Sequence, residues 1–245
     1  PVIYSGFTKV NWETLNVLPY YNSSAANLGV SFVAHPIGGY YNGIEDAELY
    51  MRYVQFGVFS PILILASDKG KYYKREPWRW SKLTLDIIAD YLRLRHRLIP
   101  YIYSESYIYY KTGAPLVQPL YYAYPKIYDE PLYKNEYYFG TRFLIAPITK
   151  RKNPIMNRVV QRIFIPEGTW YDFQSGKKYP GNRNYMSFYK DEDYPAFVKE
   201  GSIIPMSLDY TTDAPADMEL QIFPGKSDVY NLYEDDGTSE GYKKG

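Results

Sequence analysis

Residues 28–40 read LGVSFVAHPIGGY. From Gly29 to Ala34 the run is apolar without strict alternation, the signature of a strand covered on both faces in a parallel sheet. Gly38 and Gly39 then end the strand in a turn. Upstream, Trp12 to Leu28 carries Leu15, Leu18 and Tyr21 with Pro19 between them, which predicts a short or kinked helix. Downstream, EDAELYMRYVQFGVF (45–59) starts with acids and continues with Leu49, Tyr53, Val54 and Phe56, a helix whose amino end carries the complementary charge. SPILILA (60–66) predicts a second buried strand. Within Ser81–Tyr110, Leu85, Ile88, Leu92, Leu98 and Ile102 recur at helical spacing, with a kink expected at Pro100 and a stop at Gly113. The first 110 or so residues therefore alternate helix and strand, as in a parallel sheet or barrel.

After Gly113 the pattern changes to short apolar segments divided by proline and glycine: PLVQPLYYAYP (115–125), RFLIAPI (142–148), VVQRIFIPEGTWYDF (159–173), PAFVKEGSIIPM (195–206), MELQIFPG (218–225) and VYNLYEDDG (229–237). That spacing predicts an antiparallel sandwich or barrel. The fold class is thus α/β followed by all-β.

With 28 basic and 27 acidic side chains the net charge is +1, and no basic stripe argues for nucleic acid as a partner. The lack of cysteine excludes disulfides and thiolate metal sites. No run approaches the roughly 20 apolar residues of a membrane span, and PVIYSGF lacks the basic-then-apolar order of a secretory signal. A soluble protein is expected, with the cytoplasm slightly favoured over export. Tyrosine is abundant, at 31 residues. Its flat apolar face and single hydroxyl suit core rims and carbohydrate surfaces alike.

Several phrases in order carry a family resemblance: AELYMRYVQFGVFSP (47–61), REPW (75–78), LRLRHRLIPYIY (92–103), FGTRFLIAPI (139–148), FIPEGTWYDFQSGKKY (164–179), FVKEGSIIPM (197–206) and LYEDDG (232–237). Across nearly the whole chain the sequence resembles glycoside hydrolase family 31, which contains α-glucosidases and α-xylosidases. The resemblance implies a (β/α)8 barrel entered near the end of its sixth strand, hence about the last three βα units, followed by an antiparallel β-sandwich. Residues 1–135 are assigned to the barrel portion and 136–245 to the sandwich. Because a complete barrel takes about 250 residues and leaves no open strand edge, the apolar faces of Val30–Ala34 and Ile62–Ala66 are expected to be half covered. The remainder of the barrel, or a partner chain, is the expected companion. The implied substrate is an α-linked oligosaccharide, with no cofactor and no metal.

Retaining glycosidases need two carboxylates about 5 Å apart, one to attack the anomeric carbon and one to protonate the leaving oxygen. By resemblance, the acid/base aspartate belongs to an SGDT-like phrase followed by WE. Here the phrase is Ser5-Gly6-Phe7-Thr8 with Trp12-Glu13, so Phe7 stands in the acid's place. A second aspartate, in an HDIGG-like phrase, is replaced by Pro36, and the histidine of an LHSS-like phrase by Ala66. The strand bearing the family nucleophile has no counterpart in these residues. The resemblance thus implies hydrolysis of O-glycosyl bonds as the family's chemistry, and the substitutions imply that this chain alone does not perform it; a non-enzymatic carbohydrate-binding or assembly subunit of a split glycosidase is the alternative. Tyr40, which matches an aromatic bordering the first sugar subsite, and His35 are the candidate substrate-binding residues, each with a structural role as the competing reading. Arg75 and Glu76 read as a salt-bridged loop brace, Glu45, Asp46 and Glu48 as a helix amino end, and Asp235-Asp236-Gly237 as a tight turn between two strands, since the 12-residue calcium-loop pattern is absent.

Overall fold

A parallel three-stranded sheet and its helices form the first part of the chain, seen in a computed structural model that describes residues 1–128, 130–210 and 217–243. Strand β1 (Val2–Tyr4) leads to helix α1 (Trp12–Ser24), β2 (Phe32–Pro36), α2 (Ala47–Val58), β3 (Ile62–Ile64), α3 (Lys82–Arg97) and α4 (Ile99–Thr112). β1 pairs with β2 and β2 with β3, all in parallel. Three side chains fix where the helices begin: Asn11 accepts from the Thr14 amide, Asp46 from Leu49 and Ser81 from Thr84. Each satisfies an amide that has no partner inside the helix. Pro19 is accommodated within α1, which tightens into a 3₁₀ turn at Ala25–Leu28. Leu98 separates α3 from α4, with Pro100 in the first turn of α4, where its missing N–H costs no helical bond. Gly113 ends α4 at φ 76°.

Three expectations shift. β2 begins at Phe32, later than the apolar run, because Gly29 is spent on a left-handed turn at φ 68° that closes the preceding 3₁₀ segment. β3 is only three residues long. Val30, Val33 and Ala34 are buried, the two valines packed with Ala25 and Ile3, whereas Ile62–Ile64 remain partly exposed. The uncovered apolar surface is therefore at β3 and at the outer side of β1, where Val2 is exposed. Among the described residues β1 and β3 each keep one unpaired edge, so the sheet does not close.

A six-stranded sheet follows, built from β4 (Val117–Pro119), β5 (Tyr137–Phe139), β6 (Phe143–Ile145), β8 (Thr169–Asp172), β9 (Lys178–Pro180) and β11 (Ala196–Lys199), in the order β4-β5-β6-β11-β8-β9. Its neighbours are all antiparallel. β7 (Val159–Ile165) and β10 (Arg183–Tyr189) form an antiparallel pair, as do β12 (Ile203–Ser207) and β13 (Met218–Ile222). The period of two along a strand decides what each face touches. Phe143, Ile145, Ala196 and Val198 join the core with α2, α3 and α4 residues; Leu144 and Phe197 point the other way and pack with Val159, Ile163 and Tyr189 of β7 and β10. The central sheet is thus covered twice, by the helices on one side and the β7–β10 pair on the other. VYNLYEDDG forms no strand: Asp235 and Asp236 make side-chain turns, accepting from the amides of Gly237, Thr238 and Ser239, but no strand flanks them.

Phe59 sits where the two parts meet. It stacks on Tyr194 at 5.8 Å and contacts Phe139 and Phe143. Arg52, fully buried in α2, donates to the carbonyls of Asp193 and Lys190 at 2.8 Å, and Gln55 to that of Asp191. The core between the helices and the facing side of the central sheet is therefore shared by both parts.

Candidate functional site

The carboxyl ends of β1, β2 and β3 open on the same side of the sheet because the strands are parallel. The loops that follow them, Ser5–Thr8, Ile37–Tyr41 and Leu65–Asp68, are laced together by backbone. Tyr40 and Tyr41 both donate to the Thr8 carbonyl, at 2.6 and 3.1 Å, Asp68 donates to the Tyr40 carbonyl at 2.9 Å, and Ile37 to that of Ile64 at 2.8 Å. Gly39, at φ 78°, is required here: a β-carbon would come within 2.8 Å of the Val10 backbone.

Arg75 holds this turn from beneath. Its guanidinium donates to the carbonyls of Gly38 and Gly39, both at 2.7 Å, and lies 5.5 Å over the Tyr50 ring, whose hydroxyl donates back to the Arg75 carbonyl. The brace expected from the sequence is present but differs in kind. Glu76 pairs with Arg79 at 3.3 Å, while Arg75 serves backbone carbonyls in a buried setting. A guanidinium presents five donors in a rigid fork, which is why two adjacent carbonyls suit it better than one carboxylate on an exposed loop. The acids 45–48 behave as read: Asp46 caps α2, Glu48 accepts from the Lys152 amide and Glu45 pairs with Lys74.

On top of the turn lies an aromatic pair. Phe7 is 65% exposed and stacks on Tyr40 with centroids 4.1 Å apart and planes at 29°, while Tyr4 meets its edge at 6.1 Å. The Phe7 and Tyr40 rings thus meet face to face and the Tyr4 and Phe7 rings edge to face. Phe7 and Tyr40 are 33 positions apart, so no local sequence signal could have announced the pair. Pro36 is buried at the end of β2 and Ala66 lies half-buried beyond β3. Of the three loops, only Leu65–Asp68 carries a carboxylate, Asp68, whose side chain accepts from the next amide, that of Lys69. A cleft of about 390 Å³ runs between Ser5, Thr8 and the α1 side chains Glu13, Val17 and Tyr21.

His35 is not brought to this surface. It is fully buried on the helix-facing side of β2, edge-on to Tyr21 at 6.0 Å and 5.4 Å from Phe56, with no hydrogen-bond partner for either ring nitrogen. Burial pushes its pKa down to about 3, so the imidazole is neutral through the physiological range. Tyr40 and Phe7 are thus together, and His35 is buried apart from them against Tyr21 of α1 and Phe56 of α2. Among the described residues no three metal-ligating side chains converge.

Comparison with known proteins places this geometry. Residues 1–105 match the family model described as the glycosyl hydrolases family 31 TIM-barrel domain, and residues 113–204 the one described as the glycosyl hydrolase family 31 C-terminal domain. The chain belongs to glycosyl hydrolase family 31. It is 29% identical to an alpha-xylosidase of Saccharolobus solfataricus, a match taking in 100% of this chain and 33% of the relative, and 30% identical to alpha-glucosidase 2 of Bacillus thermoamyloliquefaciens, taking in 99% and 30%. Among solved structures, the family 31 alpha-xylosidase from Xanthomonas citri superposes with a TM-score of 0.85 at 29% identity, over 100% of this chain and 28% of that one. A Flavobacterium johnsoniae family 31 dextranase complexed with glucose gives 0.84 at 29%, over 98% and 31%. The chain therefore spans about a third of the length of these family 31 relatives. No helix among the described residues is long and apolar enough to cross a membrane.

Proposed function

We propose that this chain is the carboxyl-terminal barrel portion and adjoining sandwich of an α-glucosidase-type family 31 protein whose site at the ends of β1–β3 no longer hydrolyses glycosides. The observation that carries this reading is the exposed Phe7 ring stacked on Tyr40. Position 7 is where the family resemblance puts the general acid, and a hydrocarbon ring neither donates nor accepts the proton that a departing glycosidic oxygen needs. Pro36 and Ala66 remove two further side chains that would bind hydroxyls. The unpaired edges of β1 and β3 support completion by further βα units, in the same polypeptide or a companion one.

The Phe7–Tyr40 pair also favours a second reading, retained binding of α-linked sugar without turnover, because a flat exposed aromatic face complements the apolar face of a pyranose. Native material carrying this sequence is the sample for both. Incubated with maltose, isomaltose and aryl α-glucosides and α-xylosides, it releases no product; turnover above a no-enzyme control refutes the loss of hydrolysis. Calorimetric titration with isomaltose reports binding that weakens in Phe7→Ala, and equal affinity in the two proteins refutes the aromatic platform.

A further inference from the structure

Helix α4 carries Tyr103, Tyr107 and Tyr110 at i, i+4 and i+7, one stripe of the helix. Its buried stripe is a different one, Tyr101, Ser104 and Glu105. The three tyrosines therefore lie on the side away from the core, with Tyr103 43% and Tyr110 64% exposed. The segment after β13 returns across this stripe and inserts Tyr233 into it. Tyr233 stacks flat on Tyr107, 3.7 Å between centroids with planes at 6°, and stands 5.6 Å from Tyr103; Tyr107 is 6.1 Å from Tyr110. Four rings thus make an unbroken row whose ends are separated by about 10 Å along the helix axis, at 1.5 Å per residue.

The row has a polar group at each end. The Asp235 carboxylate accepts from the hydroxyls of Tyr103 at 2.7 Å and Tyr233 at 2.6 Å and from the Gly237 amide at 2.9 Å, so it is fixed in place. The Lys111 ammonium lies 5.3 and 5.6 Å over the rings of Tyr107 and Tyr110. A groove of about 210 Å³ runs along the row, lined by the four tyrosines, Ser106 and Asp235. Glu234, Asp235 and Asp236 outnumber Lys111 here, so nothing in the groove draws a nucleic acid or other polyanion. Aromatic faces edged by hydroxyls, an acceptor and a donor instead match a ligand with apolar ring faces and a rim of hydroxyl groups.

We propose that the Tyr103–Tyr107–Tyr110–Tyr233 row is a binding site for a neutral gluco-oligosaccharide, separate from the loops after β1–β3. It lies on the far end of α4 and shares no residue with the Phe7–Tyr40 pair, so the two stand or fall independently. The ligand lies along the row with a ring face on the exposed Tyr110 and its hydroxyls toward Asp235.

The test is a two-dimensional NMR titration of the chain with maltotetraose and, in separate arms, isomaltotetraose and a proline-rich peptide, the other extended ligand that docks on aromatic grooves. The site predicts saturable shifts at 106–111 and 233–237 with either sugar. Tyr110→Ala, whose hydroxyl has no partner within the core, keeps the wild-type melting temperature and weakens the sugar about tenfold, or roughly 1.4 kcal/mol; Tyr110→Trp restores it. Shifts confined to residues around Phe7 and Tyr40, unchanged affinity in Tyr110→Ala, or saturation by the peptide and not by either sugar would each overturn the assignment. In Phe7→Ala the shifts at 106–111 and 233–237 persist, and their loss there would also overturn the assignment.

Discussion

Replacing His35 by leucine removes a titrating group from an apolar niche, and the effect can be worked out in advance. In the folded chain the ring is wedged between Tyr21 and Phe56 with neither nitrogen bonded, and its pKa lies at about 3 against 6.5 in the unfolded chain. Above pH 6.5 both states hold the ring neutral, and the linkage is silent. Between 6.5 and 3 the unfolded state binds a proton that the folded state refuses, so stability falls as pH falls, by about 1.4 kcal/mol per pH unit. From pH 7.5 to 4.5 the loss attributable to this one ring is about 2.7 kcal/mol. With a urea slope of roughly 3 kcal/mol/M, that is a midpoint shift of about 0.9 M. The quantity to measure is the difference between wild-type and His35→Leu unfolding free energies at each pH, since all other titrations cancel in it. The wild type should lose about 2.7 kcal/mol more than the variant across that span. A parallel experiment follows the His35 ring proton by NMR, which should stay at its neutral position down to pH 4. Equal pH slopes in the two proteins, or a titration midpoint near 6.5, would refute the buried, unpartnered placement.

Phe59→Ala empties the aromatic contact between the helices and the central sheet and should cost about 3–5 kcal/mol, with α-helical and tryptophan signals still lost in one urea transition; two separate transitions would contradict the shared core. Arg75→Met leaves the Gly38 and Gly39 carbonyls without their donors in a buried place and should cost about 2 kcal/mol, with amide shifts centred on residues 38–41; shifts centred on Glu76 and Arg79 instead would count for the ion-pair brace. Phe7→Ala, at an exposed position, should change stability by less than about 0.5 kcal/mol, so any larger loss on thermal melting speaks against the ring's exposed placement.

Periodicity revealed the helices because each spans several turns of repeating apolar spacing, and Pro100 and Gly113 marked the break and the stop through backbone chemistry alone. β1 was invisible to the same reasoning: Val2–Tyr4 is too short to show a period, and only the family resemblance placed a strand end there. The register of β2 slipped because Gly29 and Val30, apolar like the strand, belong to the turn before it. The site residues divided along similar lines. Phe7, Pro36 and Ala66 could be set against the phrases of the family resemblance, since each phrase is local. The use of Arg75 could not, because its partners are carbonyls 36 and 37 positions away, and a backbone acceptor leaves no letter in the sequence. His35 reads the same on either side of β2; the pleat alone sends it toward Tyr21 and Phe56.

Because strands β5, β6 and β11 present large apolar side chains alternately to α2–α4 and to β7–β10, cutting the chain near Gly113 would not release a sandwich module. It would strip Phe139, Phe143, Ile145 and Val198 of their cover and leave an oily slab open to water. Grafting or swapping of either half between homologues must therefore carry the facing layer along, and insertions are better tolerated at the β7–β10 rim than at the seam.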